Sequence, residues 1–289
     1  MSTHNFPFLE PAMIADTRDT CHAYAQVLGG WIRSCRPRRK HWWNLCLSPS
    51  LGGVATGPLH ADGVHFALEL DLAGNHVHAA VANGERFSEP LGSQTADQLA
   101  DALQAFLLGG GVSAGYVPGE DSAGSHGAAD GRVRSGYSAQ VAADLAQAWR
   151  EIVAALADFQ SGIIEETSPI NLWPGHFDLA MLVLGKDKVV GQDPADEEYS
   201  DKQMNFGFSF GDAGIPEPYF FVTAYPQPED FPPLPLVNRA YWHSKGFGGA
   251  VLRYGDAIAT ADPTELLRDY WQQMLDAGRE QGLLNNTES

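Results

Sequence analysis

The sequence predicts an α+β protein in which antiparallel sheets are covered by helices. Two patterns lead to this fold class: some segments carry apolar residues at helical spacing, and short segments typical of strands follow one another with turn residues between them. The chain has 289 residues, of which 44% are hydrophobic and 19% charged. It therefore has enough apolar surface for a large core, and wholesale disorder is excluded.

The first part of the chain predicts a helix, a meander of strands and a second helix. Apolar residues recur at spacings of three and four over residues 24–32, and a proline stops the run, so a helix is expected at residues 19–35. Strands are expected at residues 41–48, 53–56, 64–72, 76–81 and 86–91. The second helix follows, with Ser93 or Thr95 as its N-cap.

The glycine-rich segment at residues 109–136 predicts a linker or mobile loop. It contains nine glycines, and few of its side chains can bury apolar surface. It separates an N-terminal α+β half at residues 1–108 from a C-terminal α+β half at residues 137–289. We expect the two halves to pack as one globule.

The second half repeats this order of elements. An apolar stripe from Leu145 to Ile163 predicts a long helix at residues 138–165. Strands are expected at residues 177–184, 203–210, 219–225 and 249–254. A final helix is expected at residues 263–282.

The shared order of helix, meander and helix raises the question of an internal duplication. The first predicted strand opens alike in both halves, with His41 followed by two tryptophans and His176 followed by Phe177. Two interpretations are open. A true duplication places His41 and His176 at equivalent strand entrances, whereas any α+β meander can show the same order without one.

Several aromatic segments of unusual composition occur in an order that is similar to that of a known family. The most specific is SPINLWPGHFDLA at residues 168–180. The other matching segments are His41-Trp42-Trp43, Thr56-Gly57-Pro58, residues 66–71, residues 203–208 and Pro218-Tyr219-Phe220. In these segments the chain resembles the bacterial family known as domain of unknown function 5996. The resemblance implies no particular reaction and supplies no catalytic residues, because none is assigned to that family.

His176 and Asp178 are the candidate catalytic residues. They stand at the entrance of a segment that is apolar on both faces, which is typical of a central strand covered on both sides. A carboxylate there needs a partner, because burying an unpaired charge is costly. Asp178 either orients the imidazole of His176 for proton transfer or stabilises the preceding Pro-Gly turn by accepting backbone hydrogen bonds.

The neighbouring strands predict a polar face that could serve as the floor of a binding pocket. Alternation puts Asn205 and Ser209 on one side of their strand, and Tyr219 and Tyr225 on one side of the next. Amides, hydroxyls and the gap at Gly207 suit a small polar ligand. The alternative is an outer face in contact with solvent.

A basic run after the first predicted helix supplies candidate anion-binding residues. Five of the eighteen Lys and Arg residues lie between Arg33 and Lys40. Among them, Arg38 and Arg39 are suited to bidentate contacts with carboxylate or phosphate. Cations at the carboxyl end of a helix are also favoured by its dipole, which is a structural explanation. The neighbouring His41 is expected to face a core.

A predicted hairpin around Gly74 carries the one pattern that suggests a metal. In a tight turn Asp71 lies opposite His76 and Glu69 lies opposite His78, with His65 on the same face. Two histidines and two carboxylates can hold zinc or iron. Exposed ion pairs explain the same residues, and we assign no metal site. No HExxH, P-loop, GxGxxG or GxSxG pattern occurs in its required context, so no cofactor is identified.

Charge and cysteine content restrict the partners and the compartment. The net charge of −18 repels phosphate backbones and anionic membrane surfaces, so nucleic acid and membrane are not expected partners. The amino terminus does not resemble a signal peptide, and no apolar run is long enough to span a bilayer. Cys21, Cys35 and Cys46 form no CxxC pair, so reduced thiols in a cytoplasmic protein are expected.

These observations favour a small-molecule enzyme or ligand-binding protein that uses the polar face of the second half, with acid/base chemistry on an anionic or polar metabolite. The alternative is a non-catalytic protein-interaction module. In that case the aromatic surplus, including Trp42, Trp43, Trp173 and Trp242, would form an exposed binding surface.

Overall fold

The computed structural model describes residues 5–118, 135–196, 198–229, 231, 235–237 and 239–284. The fold is α+β, as the sequence predicts, with two antiparallel sheets and several helices. Most of the glycine-rich segment predicted as a linker, at residues 119–134, lies outside the described residues.

The elements follow one another along the chain in an order close to the prediction. They are α1 (Pro11–Cys35), a 3₁₀ helix (Lys40–Leu45), β1 (Ser48–Pro49), β2 (Gly53–Ala55), β3 (Leu59–Ala61), β4 (Val64–Asp71), β5 (His76–Val81), β6 (Arg86–Pro90), α2 (Ala96–Gly109), α3 (Ala139–Ser161), β7 (Glu166–Thr167), β8 (Asn171–Trp173), β9 (Asp178–Lys188), β10 (Asp201–Ser209), β11 (Tyr219–Tyr225), β12 (Tyr241–His243), β13 (Gly249–Arg253), α4 (Tyr254–Ile258) and α5 (Pro263–Glu280).

The chain divides into two compact units. The N-terminal unit consists of Leu9–Arg150 and Asn171–Asp178, and the C-terminal unit consists of Met1–Phe8, Glu151–Ile170 and Leu179–Ser289. The N-terminal unit contains the sheet β1-β2-β4-β5-β6, with β3 paired to β4. In the C-terminal unit the strands follow the order β12-β13-β11-β10-β9-β7.

The core of the N-terminal unit lies between one face of its sheet and two helices. Phe66 is paired with Val81 and Leu68 with Ala79, so alternation brings the buried residues of both strands to one side. Trp31 of α1 meets Phe66 edge to face at 6.0 Å. The odd-numbered residues of β4 lie on the opposite face, which places them outside this core.

Local capping explains where α2 begins. The hydroxyl of Thr95 accepts a hydrogen bond from the N–H of Gln98, and the Gln98 side chain accepts one from the N–H of Thr95. This reciprocal pair is a capping box, which satisfies two backbone donors at the start of a helix. Of the two predicted N-caps, Thr95 is therefore the one used.

The strand predicted at residues 41–48 is wrong. Lys40–Leu45 forms a 3₁₀ helix instead, in which His41 and Trp42 have φ of 54° and 57°. Consecutive left-handed residues cannot continue an extended strand, and bulky side chains seldom adopt this conformation. His41 is nevertheless buried, as expected.

The core of the C-terminal unit is a cluster of aromatic rings between one sheet face and two helices. Phe159 of α3 lies 5.4 Å from Phe206 and 5.5 Å from Trp271 of α5, measured between ring centroids. Trp271 meets Phe220 edge to face at 6.0 Å. Because aromatic side chains bury large apolar areas, this cluster decides which face of the sheet turns inward.

The internal duplication is not confirmed. His41 lies in a 3₁₀ helix and His176 in a turn, so neither stands at the strand entrance that the hypothesis requires. No helix in the described residues is long and apolar enough to cross a membrane.

A buried ion pair connects Glu165, the residue before β7, to the last turn of α5. The guanidinium of Arg279 donates to both carboxylate oxygens of Glu165, at 2.8 and 2.9 Å, and the Glu165 side chain is shielded from solvent. Burial, the largest single influence, raises the pKa of Glu165, but the hydrogen bonds and positive charge of Arg279 together with backbone hydrogen bonds outweigh it and hold the pKa below its usual value. The carboxylate is therefore charged in the folded protein at neutral pH.

We expect Arg279→Met to lower the free energy of unfolding by about 3 kcal/mol, because it leaves a buried carboxylate without its cation. Urea denaturation measures this change. The control is Glu265→Gln, which removes an exposed contact with Arg268 at 4.0 Å and should cost less than about 0.5 kcal/mol. Equal losses of unfolding free energy in the two variants would contradict a stabilising role for the buried ion pair.

The same pair predicts a pH dependence. Since the pKa of Glu165 is lower in the folded than in the unfolded protein, its stabilisation is present above the unfolded-state pKa and is lost as the pH falls through the folded-state pKa. The stability difference between the wild type and Arg279→Met should therefore narrow on acidification. A constant difference would mean that the carboxylate does not carry the effect.

Candidate functional site

The register of β10 and β11 brings the four predicted ligand-binding residues of the C-terminal unit to one face. Ser209 pairs with Tyr219 and Gln203 with Tyr225, and Asn205 lies between them opposite Thr223. Residues paired directly across an antiparallel ladder point to the same side. This face is opposite the aromatic core, which is formed by the alternate residues of both strands.

One end of this face is closed by its own side chains. Ser209 and Tyr219 are each only 4% exposed. The Ser209 hydroxyl accepts a hydrogen bond from the N–H of Gly211, and the Tyr219 hydroxyl donates to the carboxylate of Asp212. Both hydroxyls therefore stabilise the turn after β10 and are engaged in bonds that a ligand would have to replace.

The gap predicted at Gly207 is filled from within the face. A Cβ atom built on Gly207 would lie 2.3 Å from the ring of Phe221, which is cross-strand to it. Gly207 thus allows an aromatic ring to lie against the backbone. It leaves no room for a ligand in the middle of the face.

The other end of the face is half-buried and polar. We call the group formed by Gln203, Asn205, Thr223 and Tyr225 the polar corner. Within the described part of the chain, the side-chain oxygens Gln203 Oε1 and Asn205 Oδ1 are shielded from water and have no hydrogen-bond partner. Because they are two residues apart on one strand, both belong to the same side of the sheet.

The loop between β9 and β10 contributes to the edge of the polar corner. Gln192 Nε2 donates to the hydroxyl of Tyr225 at 3.0 Å, and the exposed Tyr199 ring lies 4.9 Å from the Tyr225 ring. Gln203 Nε2 donates to the backbone carbonyl of Glu198 at 2.9 Å, which fixes the orientation of the Gln203 amide. The loop therefore holds the Gln203 side chain with its oxygen directed away from this contact.

The edge of the polar corner is also acidic. The side chain of Glu198 raises the pKa of Tyr199 through a hydrogen bond, so the Tyr199 hydroxyl stays protonated. The N–H groups of Tyr199 and Glu198 lower the pKa of Asp196, whose carboxylate accepts hydrogen bonds from both. Two carboxylates therefore stand within one short loop beside the polar corner.

His176 and Asp178 belong to the N-terminal unit, whereas the polar corner belongs to the C-terminal unit. His176 is exposed and lies in a turn, whereas β9 begins at Asp178. Phe177 between them has a φ of 57°. This left-handed residue interrupts the extended backbone, so His176 precedes the strand and does not alternate with Asp178 along it. Their proposed catalytic role stays a prediction.

The turn that contains His176 is held by His22 of α1. His22 is buried, and its Nε2 lies 3.0 Å from the carbonyl oxygen of Pro174 and 3.1 Å from that of Gly175. Carbonyl oxygens only accept, so Nε2 carries the proton and donates to both. The imidazole also stacks on Phe177 at 5.2 Å, and Trp149 meets Phe177 edge to face at 5.1 Å. These contacts can hold Phe177 in its strained conformation.

The segment after the 3₁₀ helix lies beside this turn. Leu47 and Leu172 exchange two backbone hydrogen bonds, of 2.9 and 2.8 Å. Burial, with a smaller effect from the carboxylate of Asp178, raises the pKa of Cys46, and burial raises that of Cys21 to about 12. Neither thiol ionises at neutral pH, which excludes these two cysteines as ready nucleophiles.

The basic run has mixed roles. Arg38 and Arg39 are exposed, and the Arg38 guanidinium lies 4.2 Å from the centroid of the Trp42 ring in a cation–π contact. Arg36 donates to the backbone carbonyls of Cys46 and Thr56, so it holds the chain together. Anion binding by Arg38 and Arg39 stays a prediction.

The hairpin of β4 and β5 has the predicted register. Asp71 lies opposite His76 and Glu69 opposite His78. Glu69 accepts a hydrogen bond from the hydroxyl of Ser50 at 2.7 Å, and Asp71 accepts one from the N–H of Gly74 at 2.8 Å. Among the described residues, no group of three or more His, Cys, Asp or Glu side chains is placed to hold a metal ion.

Sequence reasoning missed two residues that shape these regions. His22 was not selected, although a histidine within an apolar helical stripe signals a buried hydrogen bond. Tyr199 lies in an irregular loop, where no periodicity indicates which way a side chain points.

The chain matches the family described as "Family of unknown function (DUF5996)" over residues 6–288, and it belongs to that family. The resemblance seen in the aromatic segments is thereby confirmed. Neither the curated proteins nor the solved structures contain a significant match to the chain.

We expect His22→Phe to lower the free energy of unfolding by about 1–2 kcal/mol, because the ring contact is kept while two carbonyls lose their donor. Urea denaturation monitored by circular dichroism measures the change. His176→Phe is the matched control in the same turn, and a change at that exposed position should stay within about 0.5 kcal/mol. If the urea concentration at the unfolding midpoint is the same for His22→Phe as for the wild type, the two hydrogen bonds do not hold the turn.

Proposed function

We propose that this member of a family of unknown function binds a small polar molecule at the polar corner, as a ligand-binding protein or as an enzyme that acts on that molecule. The observation that carries the proposal is the pair of amide oxygens, Gln203 Oε1 and Asn205 Oδ1. Both are shielded from water and have no hydrogen-bond partner among the described residues. Buried polar atoms are nearly always satisfied, so a pair of unsatisfied acceptors on one sheet face needs an explanation.

Energetics support binding as that explanation. A buried acceptor without a donor costs about 1–3 kcal/mol, so the two oxygens together lower the stability of the ligand-free protein by a measurable amount. A ligand that donates to both recovers this free energy on binding. The fixed Gln203 amide, held through its donation to Glu198, reduces the ordering cost of binding.

The chemistry of the polar corner indicates a ligand rich in hydrogen-bond donors. Amide oxygens only accept, and the hydroxyl of Tyr225 already accepts from Gln192. The carboxylates of Asp196 and Glu198 beside the corner, in a chain of net charge −18, favour a cation over an anion. A small amine or amino alcohol fits these requirements best.

As a separate point we propose acid/base chemistry by Asp178 and His176, which belong to the N-terminal unit. Its weaker support is that Asp178 Oδ1 is shielded from water, which suits a carboxylate held for proton transfer. The exposure of His176 favours the other interpretation, in which Asp178 stabilises the turn. Anion binding by Arg38 and Arg39 would require a different ligand and is not part of the amine hypothesis.

A cytoplasmic location without nucleic-acid partners is also proposed. The three cysteines are free thiols, which is typical of reducing compartments, and the acidic charge opposes binding to phosphate backbones.

The protein-interaction alternative has less support. Its candidate residues Trp42, Trp43, Trp173 and Trp242 are all half-buried, and the Trp42 ring is covered on one side by Arg38. Interaction hot spots need side chains that a partner can cover, and no observation singles out such a partner.

We expect Asn205→Leu to raise the free energy of unfolding of the ligand-free protein by about 1 kcal/mol, because it replaces an unsatisfied buried acceptor by an apolar group of similar size. The exposed control Gln272→Leu on α5 should change stability by less than about 0.5 kcal/mol. Urea denaturation compares the variants. A loss of stability in Asn205→Leu would mean that its amide is satisfied in the folded protein.

The same variant tests ligand binding. Small amines, amino alcohols and, for comparison, carboxylic acids are screened by thermal shift, since a molecule that binds only the folded state must raise its melting temperature. We expect amines that stabilise the wild type and the Gln272→Leu protein to have no effect on Asn205→Leu. Stabilisation of all three proteins alike, or only by the acids, would overturn the proposed function.

A further inference from the structure

A second group of polar side chains lies on the outward face of the first sheet, in the N-terminal unit, and is independent of the polar corner. His60 of β3 and His65 of β4 are paired directly across the strands. We propose that these two histidines form a binding site for a divalent transition-metal ion, for which Zn²⁺ is the probe. Imidazole nitrogen is a common ligand of such ions.

The turn that joins the two strands is rigid. Asp62 and Gly63 have φ of 52° and 80°, which is the conformation of a two-residue type I′ hairpin. Ala61 pairs with Val64 next to the turn, and His60 pairs with His65 one step further. In such a short hairpin the register cannot slip without disrupting the turn.

The turn is also anchored to a neighbouring segment of the same unit. The Asp62 carboxylate accepts hydrogen bonds from the N–H groups of Ser113 at 2.7 Å and Ala114 at 2.9 Å. These bonds fix the hairpin relative to the chain that follows α2. The two histidines therefore need little ordering when a ligand binds, which favours affinity.

The geometry of the rings suits joint coordination. Their centroids lie 4.6 Å apart and their planes are tilted by 42°, so the rings are neighbours without being stacked face to face. Both side chains are exposed, and within the described residues neither imidazole makes a hydrogen bond or ion pair. A nitrogen of each ring is therefore available to an ion at about 2.0–2.1 Å, after a small rotation of the side chains.

The other hairpin of this sheet is less suited to the same role. The Nδ1 of His76 lies 2.7 Å from the carbonyl oxygen of Gly74, and the Nε2 of His78 lies 3.6 Å from the carboxylate of Asp71. These rings already have partners within the hairpin. Since no third His, Cys, Asp or Glu ligand in the described part of the chain stands beside His60 and His65, water would complete the coordination of the ion.

Zn²⁺ titration of the full chain by isothermal calorimetry tests this site. Wild-type protein should bind one equivalent that is lost in both His60→Gln and His65→Gln and retained in His78→Gln, the matched control on β5. Because both substituted residues are exposed, the melting temperatures of the two variants without Zn²⁺ should equal that of the wild type.

Three results of the Zn²⁺ titration would overturn the inference. They are no Zn²⁺ binding by the wild type, binding that persists in either single variant, and binding that is lost in His78→Gln. None of these results bears on the amine screen with Asn205→Leu, so the two proposals fail separately. A fall in the melting temperature of both His60→Gln and His65→Gln without Zn²⁺ would also count against it, because the pair would then be structural.

Discussion

The pairing of β10 with β11 is the constraint on which the C-terminal unit depends. Once Phe208 lies opposite Phe220, alternation turns every second residue of both strands toward the helices. The aromatic cluster with Phe159 and Trp271 makes any one-residue slip costly, since large rings would exchange places with amides. The polar side chains therefore share the opposite face as a consequence of core packing, and the polar corner is the end of that face at which two shielded amide oxygens have no partner among the described residues.

Periodicity predicted most of the regular elements, and its failures have identifiable causes. The strands at His76–Val81 and Tyr219–Tyr225 have the predicted limits, because alternation and turn residues mark both ends. The strand predicted from His41 is a 3₁₀ helix instead, because no sequence signal marks a left-handed backbone in bulky residues. Strands of two or three residues, such as β12, were missed because so short a segment shows no period.

For the candidate site, the sequence predicted which residues share a face of the sheet but not which of them are already hydrogen-bonded. Alternation correctly assembled Asn205, Ser209, Tyr219 and Tyr225 on one face, because it depends only on strand pairing. It could not indicate which of these polar groups are already engaged, since that depends on the turn after β10. The gap predicted at Gly207 is absent for a related reason. The Phe221 ring of the neighbouring strand fills the space beside Gly207, and cross-strand packing, which the sequence does not show, decides this.

The central claim is that Gln203 and Asn205 keep their amide oxygens for a ligand at some cost in stability, as binding sites often do. Side-chain ¹⁵N amide spectra recorded during titration with a stabilising amine test it most directly, with the Asn205 signal assigned by its absence in Asn205→Leu. The account predicts that the Gln203 and Asn205 amide signals shift together and saturate with the same dissociation constant as the thermal stabilisation. Saturable binding that leaves both signals unmoved would contradict it.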